Sequence, residues 1–349
     1  MNLRKKLTTI CLTTFLSLIA SPSSSIDAAI QNELIRRNHD SFQADTTTPK
    51  NNVLIRQRAE GVSLYQYDAK TGKLVKTWDS VNLGGDAFNT ISQPFVGDAD
   101  NDGKNELLGL DSYGLFIWKN AGAMPVTFVE LDMDMTGFKG CVITADADGD
   151  KKNEILAGLN DQFFIFKYAK GQLKKILQKS YQDSITSIYN IAVDDTDGDG
   201  IKEIMLAGSA IQGKEKIFIH RFNGTELQDV DQIIAPTWLT YVLKSKDVNR
   251  DGISEIVTTN RDGKARVYAY DKSKNAYQLI WESENIFAKG MDIGDVDNDG
   301  LEEIVIGSTI DPEKEQKPRI LIFKYDGNAF RDLTLSPFFG QLRGILKVD

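Results

Sequence analysis

An acidic motif of the form Asp-x-Asp/Asn-x-Asp-(Gly)-x-x-Glu occurs five times in this chain of 349 residues, each time running straight into a short apolar segment. The copies start at Asp98, Asp146, Asp195, Asp247 and Asp295, at intervals of 48, 49, 52 and 48 residues. A chain of this length ordinarily implies two or three domains. A fixed period instead describes one array of supersecondary units that share a continuous core.

Each unit reads the same way. An apolar strand ends at the first Asp, and a second begins after the Glu: Leu107-Leu108, Ile155-Leu156, Ile204-Met205-Leu206, Ile256-Val257, Ile304-Val305-Ile306. Such short, mostly branched runs suit strands buried on both faces. A third strand rich in aromatics and a fourth, more polar one complete the unit. Four strands in about 50 residues with no helix between them predict a β-propeller blade. The aromatic positions Tyr65/Tyr67, Trp118/Asn120, Phe166/Tyr168, His220/Phe222, Tyr268/Tyr270 and Phe323/Tyr325 count six such units.

The first unit, residues 53–80, has no first strand of its own, whereas residues 344–349 align with 290–295 and place Asp349 at the first acidic position. The expectation is an all-β, six-bladed β-propeller of four-stranded antiparallel blades. The C-terminal strand completes the N-terminal blade and closes the ring, which leaves no open sheet edge.

The acidic loops carry the chemistry. Hard divalent cations take about six to eight oxygens near 2.3–2.6 Å. Carboxylates at positions 1, 3 and 5 of a tight loop converge on one point, a backbone carbonyl at position 7 adds an oxygen, and the acid at position 9 closes the cage. The expected sets are Asp98, Asp100, Asp102, Glu106 with the carbonyl of Lys104, and Asp146, Asp148, Asp150, Glu154 with that of Lys152. Next come Asp195, Asp197, Asp199, Glu203 with Ile201, and Asp247, Asn249, Asp251, Glu255 with Ile253. The last is Asp295, Asp297, Asp299, Glu303 with Leu301. Ligands that are all oxygen point to calcium, ahead of magnesium with its stricter octahedral demand.

An EF-hand loop shares the first six positions but needs Glu at position 12 and flanking helices. Here position 12 is Gly109, Ala157, Leu206, Thr258 and Ile306, between predicted strands. Two copies are expected to bind more weakly. Lys151 replaces Gly at position 6, where φ is expected to be positive, and Asn249 removes one charge.

These repeats resemble the FG-GAP/VCBS repeats of integrin-α-like β-propellers over roughly residues 53–349. The Phe-Gly and Gly-Ala-Pro signatures that name the integrin repeat are absent, and position 9 is Glu where integrin repeats usually have Asp. The resemblance implies calcium in the loop between the first two strands of a blade. It also implies ligand contacts on the opposite face, from Asp111-Ser112-Tyr113, Asn160-Asp161-Gln162, Trp238, Asn260-Arg261-Asp262, Phe287 and Phe338-Phe339.

Residues 1–28 read as a secretion signal. Arg4, Lys5 and Lys6 form its basic start, and the apolar stretch that follows is short for a membrane span. Residues 29–50 read as a polar leader and residues 51–349 as the propeller, giving a secreted, periplasmic or cell-surface protein. Cys11 falls in the signal, so Cys141 alone forms no internal disulfide. The formal charge of −9 argues against nucleic acid and anionic membranes as partners.

The chain has two histidines, His39 and His220, and no HExxH, GxSxG or phosphate-binding loop. A non-catalytic interaction module for a protein or glycan ligand is the expected function. The alternatives are a carbohydrate-active lyase or glycosidase and a purely structural extracellular scaffold.

Overall fold

The computed structural model describes residues 52–57, 61–68, 73–79, 92–110, 114–118, 127–130, 140–169, 172–295, 299–308 and 320–333. The expected signal (1–28), leader (29–50) and closing strand (344–349) lie outside them, as do Asp297, Asp111–Tyr113 and Phe338-Phe339.

The described strands form six antiparallel sheets in chain order. Sheet one has three strands: β1 (Asn52–Gln57), β2 (Gly61–Asp68) and β3 (Lys73–Asp79). The other five have four each. Sheet two holds β4 (Ser92–Gly97), β5 (Glu106–Leu110), β6 (Gly114–Trp118) and β7 (Thr127–Glu130), and sheet three β8 (Gly140–Ala145), β9 (Glu154–Leu159), β10 (Gln162–Ala169) and β11 (Gln172–Ser180). Sheet four holds β12 (Ile185–Asp194), β13 (Glu203–Ala210), β14 (Lys216–Phe222) and β15 (Leu227–Ile234). Sheet five holds β16 (Thr240–Lys246), β17 (Glu255–Asn260), β18 (Ala265–Asp271) and β19 (Ala276–Glu282), and sheet six β20 (Ala288–Gly294), β21 (Glu303–Ser308), β22 (Ile320–Tyr325) and β23 (Phe330–Asp332). Each is a simple meander of strands paired in sequence order. Among the described residues no helix is long and apolar enough to cross a membrane.

The first strands of successive four-stranded sheets pack on one another, β4 on β8, β8 on β12, β12 on β16 and β16 on β20. The second strands are buried along their whole length. The cause is visible in the alternation along β9. Ile155 and Ala157 fill a cluster shared with sheet two, while Leu156 fills one shared with sheet four. Strand β13 divides the same way, Ile204 and Leu206 toward sheet three, Met205 and Ala207 toward sheet five. An unbroken apolar run is therefore needed where a sheet has a neighbour on both faces, as sheets three, four and five do. Burial of each such side chain contributes about 1.5–3 kcal/mol. Gly158 marks how close the sheets come, since a Cβ there would stand 2.6 Å from Ile188 Cγ2. The core is thus a series of inter-sheet clusters, a propeller-like arrangement.

The third and fourth strands share a register shift just before the aromatic position, at Ile165/Phe166, Ile219/His220 and Val267/Tyr268. Sheet one has the same shift at Leu64/Tyr65. Its strands β1–β3 accordingly match strands two to four of the other sheets, in line with the reading of residues 53–80.

Candidate metal centres

All five acidic loops connect the first strand of a four-stranded sheet to the second, and position 9 opens that second strand. The position-5 carboxylate bends back onto the backbone in every copy. Asp102, Asp150, Asp199, Asp251 and Asp299 each accept the N–H of position 7, at 2.9, 2.8, 2.8, 2.9 and 3.2 Å. The position-1 carboxylate accepts the N–H of the position-6 glycine at 3.0 Å for Asp98, 2.9 Å for Asp195 and Asp247, and 2.8 Å for Asp295. In the Asp146 loop, where position 6 is Lys151, the Oδ1 atom of Asp146 is buried without a hydrogen-bond partner.

Position 9 is at most 2% exposed in all five copies. One oxygen of Glu106, Glu154, Glu203 and Glu255 accepts the N–H of position 2, at 2.9, 2.9, 2.9 and 3.0 Å. The glutamate thus pins the loop's entry with one oxygen, while the other meets Lys167 in Glu154, Arg221 in Glu203 and the Asn249 amide in Glu255. Burial raises the pKa of Glu154 and Glu203, and carries Glu255 up to about 8.

Three loops bring acidic side chains together so that their oxygens lie within 4.8 Å of one another: Asp98, Asp100, Glu106; Asp146, Asp148, Glu154; and Asp195, Asp197, Asp199. Asp102 and Asp150 stand outside those triplets, tied to position 7, and Glu203 is drawn to Arg221. Asn249 presents its Oδ1 to the N–H of Asp251 at 2.9 Å and its amide nitrogen to Asp251 and Glu255, at 3.1 and 2.6 Å. Adjacent loops are fastened as well. Asn153 donates through its backbone N–H to Asn101 Oδ1 (2.6 Å) and through its side chain to the Asp98 carbonyl (2.8 Å), and Ser254 N–H reaches the Asp195 carbonyl at 3.3 Å.

Two features escaped the sequence reading. Position 6 has the expected positive φ, including Lys151 at 66°, but position 4 has one too: Asn101 61°, Gly149 78°, Gly198 72° and Arg250 72°. The residue types at three of those positions, Asn and Gly, are the available signal. The second feature, among the described residues, is a basic side chain from the third strand inside three of the loops. Lys167 Nζ lies 2.6 Å from Asp148, 3.3 Å from Asp150 and 3.1 Å from Glu154. Arg221 reaches Asp197, Asp199 and Glu203 at 2.6, 2.8 and 2.7 Å, and Lys324 reaches Asp299 and Glu303 at 2.7 and 2.9 Å. Burial acts to lower the Lys167 pKa, but its bonds to Asp148 and Glu154 outweigh that and raise it.

At the opposite ends of the strands, the expected ligand positions divide. Asn260 is fully buried and bonded to Thr240 and Arg266, and Asp262 is held by Arg266. Both are fold-holding residues. Trp238 is 45% exposed with the Arg261 guanidinium 5.2 Å over its ring. Arg261 donates to the Tyr241 hydroxyl at 3.1 Å, and Lys289 converges on the same oxygen while lying over the Tyr241 ring. His220 is buried with its Nε2 2.7 Å from the Tyr181 hydroxyl and its Nδ1 2.8 Å from Asp229. Burial lowers its pKa to about 4, which suits a structural polar link. Cys141 is free and buried, and burial pushes its thiol up to about 12.

Comparison with known proteins finds the family described as FG-GAP-like repeat at residues 247–306, a span that opens on the Asp247 loop and ends in β21. The chain is also similar to integrin alpha-5 of Xenopus laevis, 25% identical over 210 residues that make up 53% of this chain and 19% of that protein. The chain thus matches about a fifth of that relative's length.

Proposed function

We infer, from a chain whose residues 247–306 match the FG-GAP-like repeat and which is similar to integrin alpha-5, a calcium-stabilised six-bladed β-propeller, exported from the cytoplasm, that works as a non-catalytic interaction module. The observation that carries this reading is one loop geometry repeated at the same place in five successive sheets, with carboxylates of three copies converging. The donor set fits a hard divalent ion. All side-chain donors are oxygens, and the Oδ1 of Asp146 is buried without a hydrogen-bond partner from the protein, as a ligand atom for an ion would be. Asp98, Asp100, Glu106 and their counterparts in the other loops would hold the ion, with the position-7 carbonyls of Lys104, Lys152, Ile201, Ile253 and Leu301 as further donors.

Bound calcium neutralises the carboxylates and so holds the loops shut. Saturation at a hundredfold above Kd stabilises the fold by about 2.7 kcal/mol per site. Residues 1–28 serve as the signal, and residues 344–349 supply the first strand of sheet one to close the ring.

A protein ligand is the reading favoured by the face opposite the acidic loops. Trp238, Tyr241 and Arg261 are the residue types that dominate protein interfaces, and Arg261 and Lys289 together give the patch a positive charge suited to an acidic segment. Removal of calcium with EGTA is expected to lower the melting temperature by about 5 °C or more; an unchanged melt defeats the calcium reading. Titration with a hexaglutamate peptide is expected to show binding that Trp238→Ala/Arg261→Ala abolishes, and equal binding by both proteins rules out this face.

A further inference from the structure

The basic side chains within the loops occupy one register position. Arg221 lies directly across from Glu203 in the β13–β14 ladder. Lys167 and Lys324 each follow the aromatic residue paired with the first apolar residue of the second strand, Ile155↔Phe166 and Ile304↔Phe323. That places each of them across from the position-9 glutamate, as cross-strand neighbours on one face. In sheet five the pair Ile256↔Tyr268 puts Ala269 there, and no cation enters the Asp247 loop from that position. The same loop carries Asn249 instead of a third Asp, and the Asn249 amide makes the contacts to Asp251 and Glu255 that an ammonium makes elsewhere. By residue type alone, four acidic side chains with one basic one and three acidic side chains with none give the same formal count of −3. Among the four loops whose residue across from the glutamate is described, the missing cation and the missing carboxylate occur in one and the same copy.

We propose that Lys167, Arg221 and Lys324 are tethered counter-cations: they hold their loops closed without an ion and compete with a divalent ion for the same carboxylate oxygens. The Asp247 loop, with Ala269, admits an ion without displacing a cationic side chain. This rests on the calcium reading given above. The competition is geometric. An ion of the calcium class requires oxygens at about 2.3–2.6 Å, and the Lys167 ammonium already sits 2.6–3.3 Å from three of the atoms it would take. Arg221 is the firmest of the three, because its fork engages three carboxylates and stays charged at every accessible pH.

The test uses the full chain, calcium titration calorimetry, and thermal melts in EDTA. Lys167→Met keeps the aliphatic stem and removes the charge. It is expected to tighten calcium binding at one site roughly tenfold and to melt below wild type in EDTA. Ala269→Lys is expected to weaken or remove one calcium site while leaving the EDTA melt at or above wild type. If wild type binds calcium and neither substitution alters the isotherm, the tethered-cation proposal is overturned and the calcium reading survives. If wild type binds none but Lys167→Met does, the proposal stands and the calcium reading fails for that loop. Silence from wild type and Lys167→Met alike defeats both. Should Lys167→Met not fold in EDTA, Ala269→Lys decides, since it retains every ion pair of the wild-type loops.

Discussion

The Asp146 and Asp247 loops share left-handed φ values at positions 4 and 6 and have opposite internal arrangements. In the first, the left-handed position 4 is Gly149 and position 6 is Lys151; in the second, position 4 is Arg250 and position 6 is Gly252. In the first, Lys167 enters among the carboxylates; in the second, the Asn249 amide does. The lesson is that the fold requires a turn of given shape and a given residual charge. Several residue combinations meet that requirement. A loop that departs from the repeat pattern at one position need not be the weak one, because a second departure can offset the first.

The largest expected contrast lies at position 9. Glu154→Gln keeps the acceptor for the Ala147 N–H but strips the Lys167 ammonium of its buried partner. Because the Lys167 side chain is a third exposed, the cost falls below that of a fully buried pair, at about 2–3 kcal/mol. Glu255→Gln replaces a carboxyl that burial pushes up to about 8, mostly neutral at pH 7 and without a cationic partner within its loop, and its cost is expected to stay below about 1 kcal/mol. Urea melts in EDTA measure both. Equal losses would show that Lys167 contributes nothing that the Asn249 amide does not.

The rule that a buried ionisable group needs a balanced setting can be sharpened outside the loops, at His220. Its pKa is lowered from 6.5 to about 4 by burial, so the folded state prefers the neutral ring. The stability this gives is present above pH 6.5 and is lost as pH falls through 4. Between pH 7 and 5 the loss from this residue is expected to be about 2 kcal/mol. His220→Phe, an aromatic like Phe166 and Tyr268 at the matching positions, should flatten that part of the pH profile. A profile unchanged by the substitution would mean other groups set it.

Much of this architecture was legible from residue order alone. The period, the strand–loop–strand units and the all-β class follow from five acidic motifs before apolar runs, and the sheets fall where those runs lie. The second strands read correctly because burial on both faces leaves an unbroken apolar signature. The tethered cations were not legible in the same way. They sit in a different strand from the motif they serve, and only the register across from Glu154, Glu203 and Glu303 reveals them. The place of Asn260 was not legible either, because its bonds to Thr240 and Arg266 come from other strands. The expected weakness of the Asp247 loop rested on Asn249 alone and took no account of Ala269.

A smaller contrast concerns position 1. Asp295 accepts N–H groups from Asp299 and Gly300, at 3.0 and 2.8 Å, whereas Asp146 Oδ1 has no such partner. Asp295→Ala is therefore expected to cost about 1–2 kcal/mol in EDTA and Asp146→Ala less than about 0.5 kcal/mol. The order should narrow or reverse in calcium if Asp146 Oδ1 is an ion ligand.

The smallest effects come from the strained residues themselves. Lys151 and Arg250 each hold a left-handed φ, at 66° and 72°, which costs a side-chain-bearing residue on the order of 1 kcal/mol. Replacement by Gly relieves that strain but loosens the unfolded chain by about 0.5–1 kcal/mol, so relief alone comes close to cancelling. The two sites differ in what else changes. The Asp247 loop already has its position-6 bond, from Gly252 to Asp247 at 2.9 Å, and Arg250→Gly can add nothing to it. Lys151→Gly lets the Asp146 loop adopt the position-6 bond of the four glycine-bearing copies and gives Asp146 Oδ1 a route to a partner. Lys151→Gly is therefore expected to stabilise by about 0.5 kcal/mol while Arg250→Gly leaves the melt within error. The reverse order would place the strain of this pair at position 4 and would remove Lys151 as the feature that sets the Asp146 loop apart.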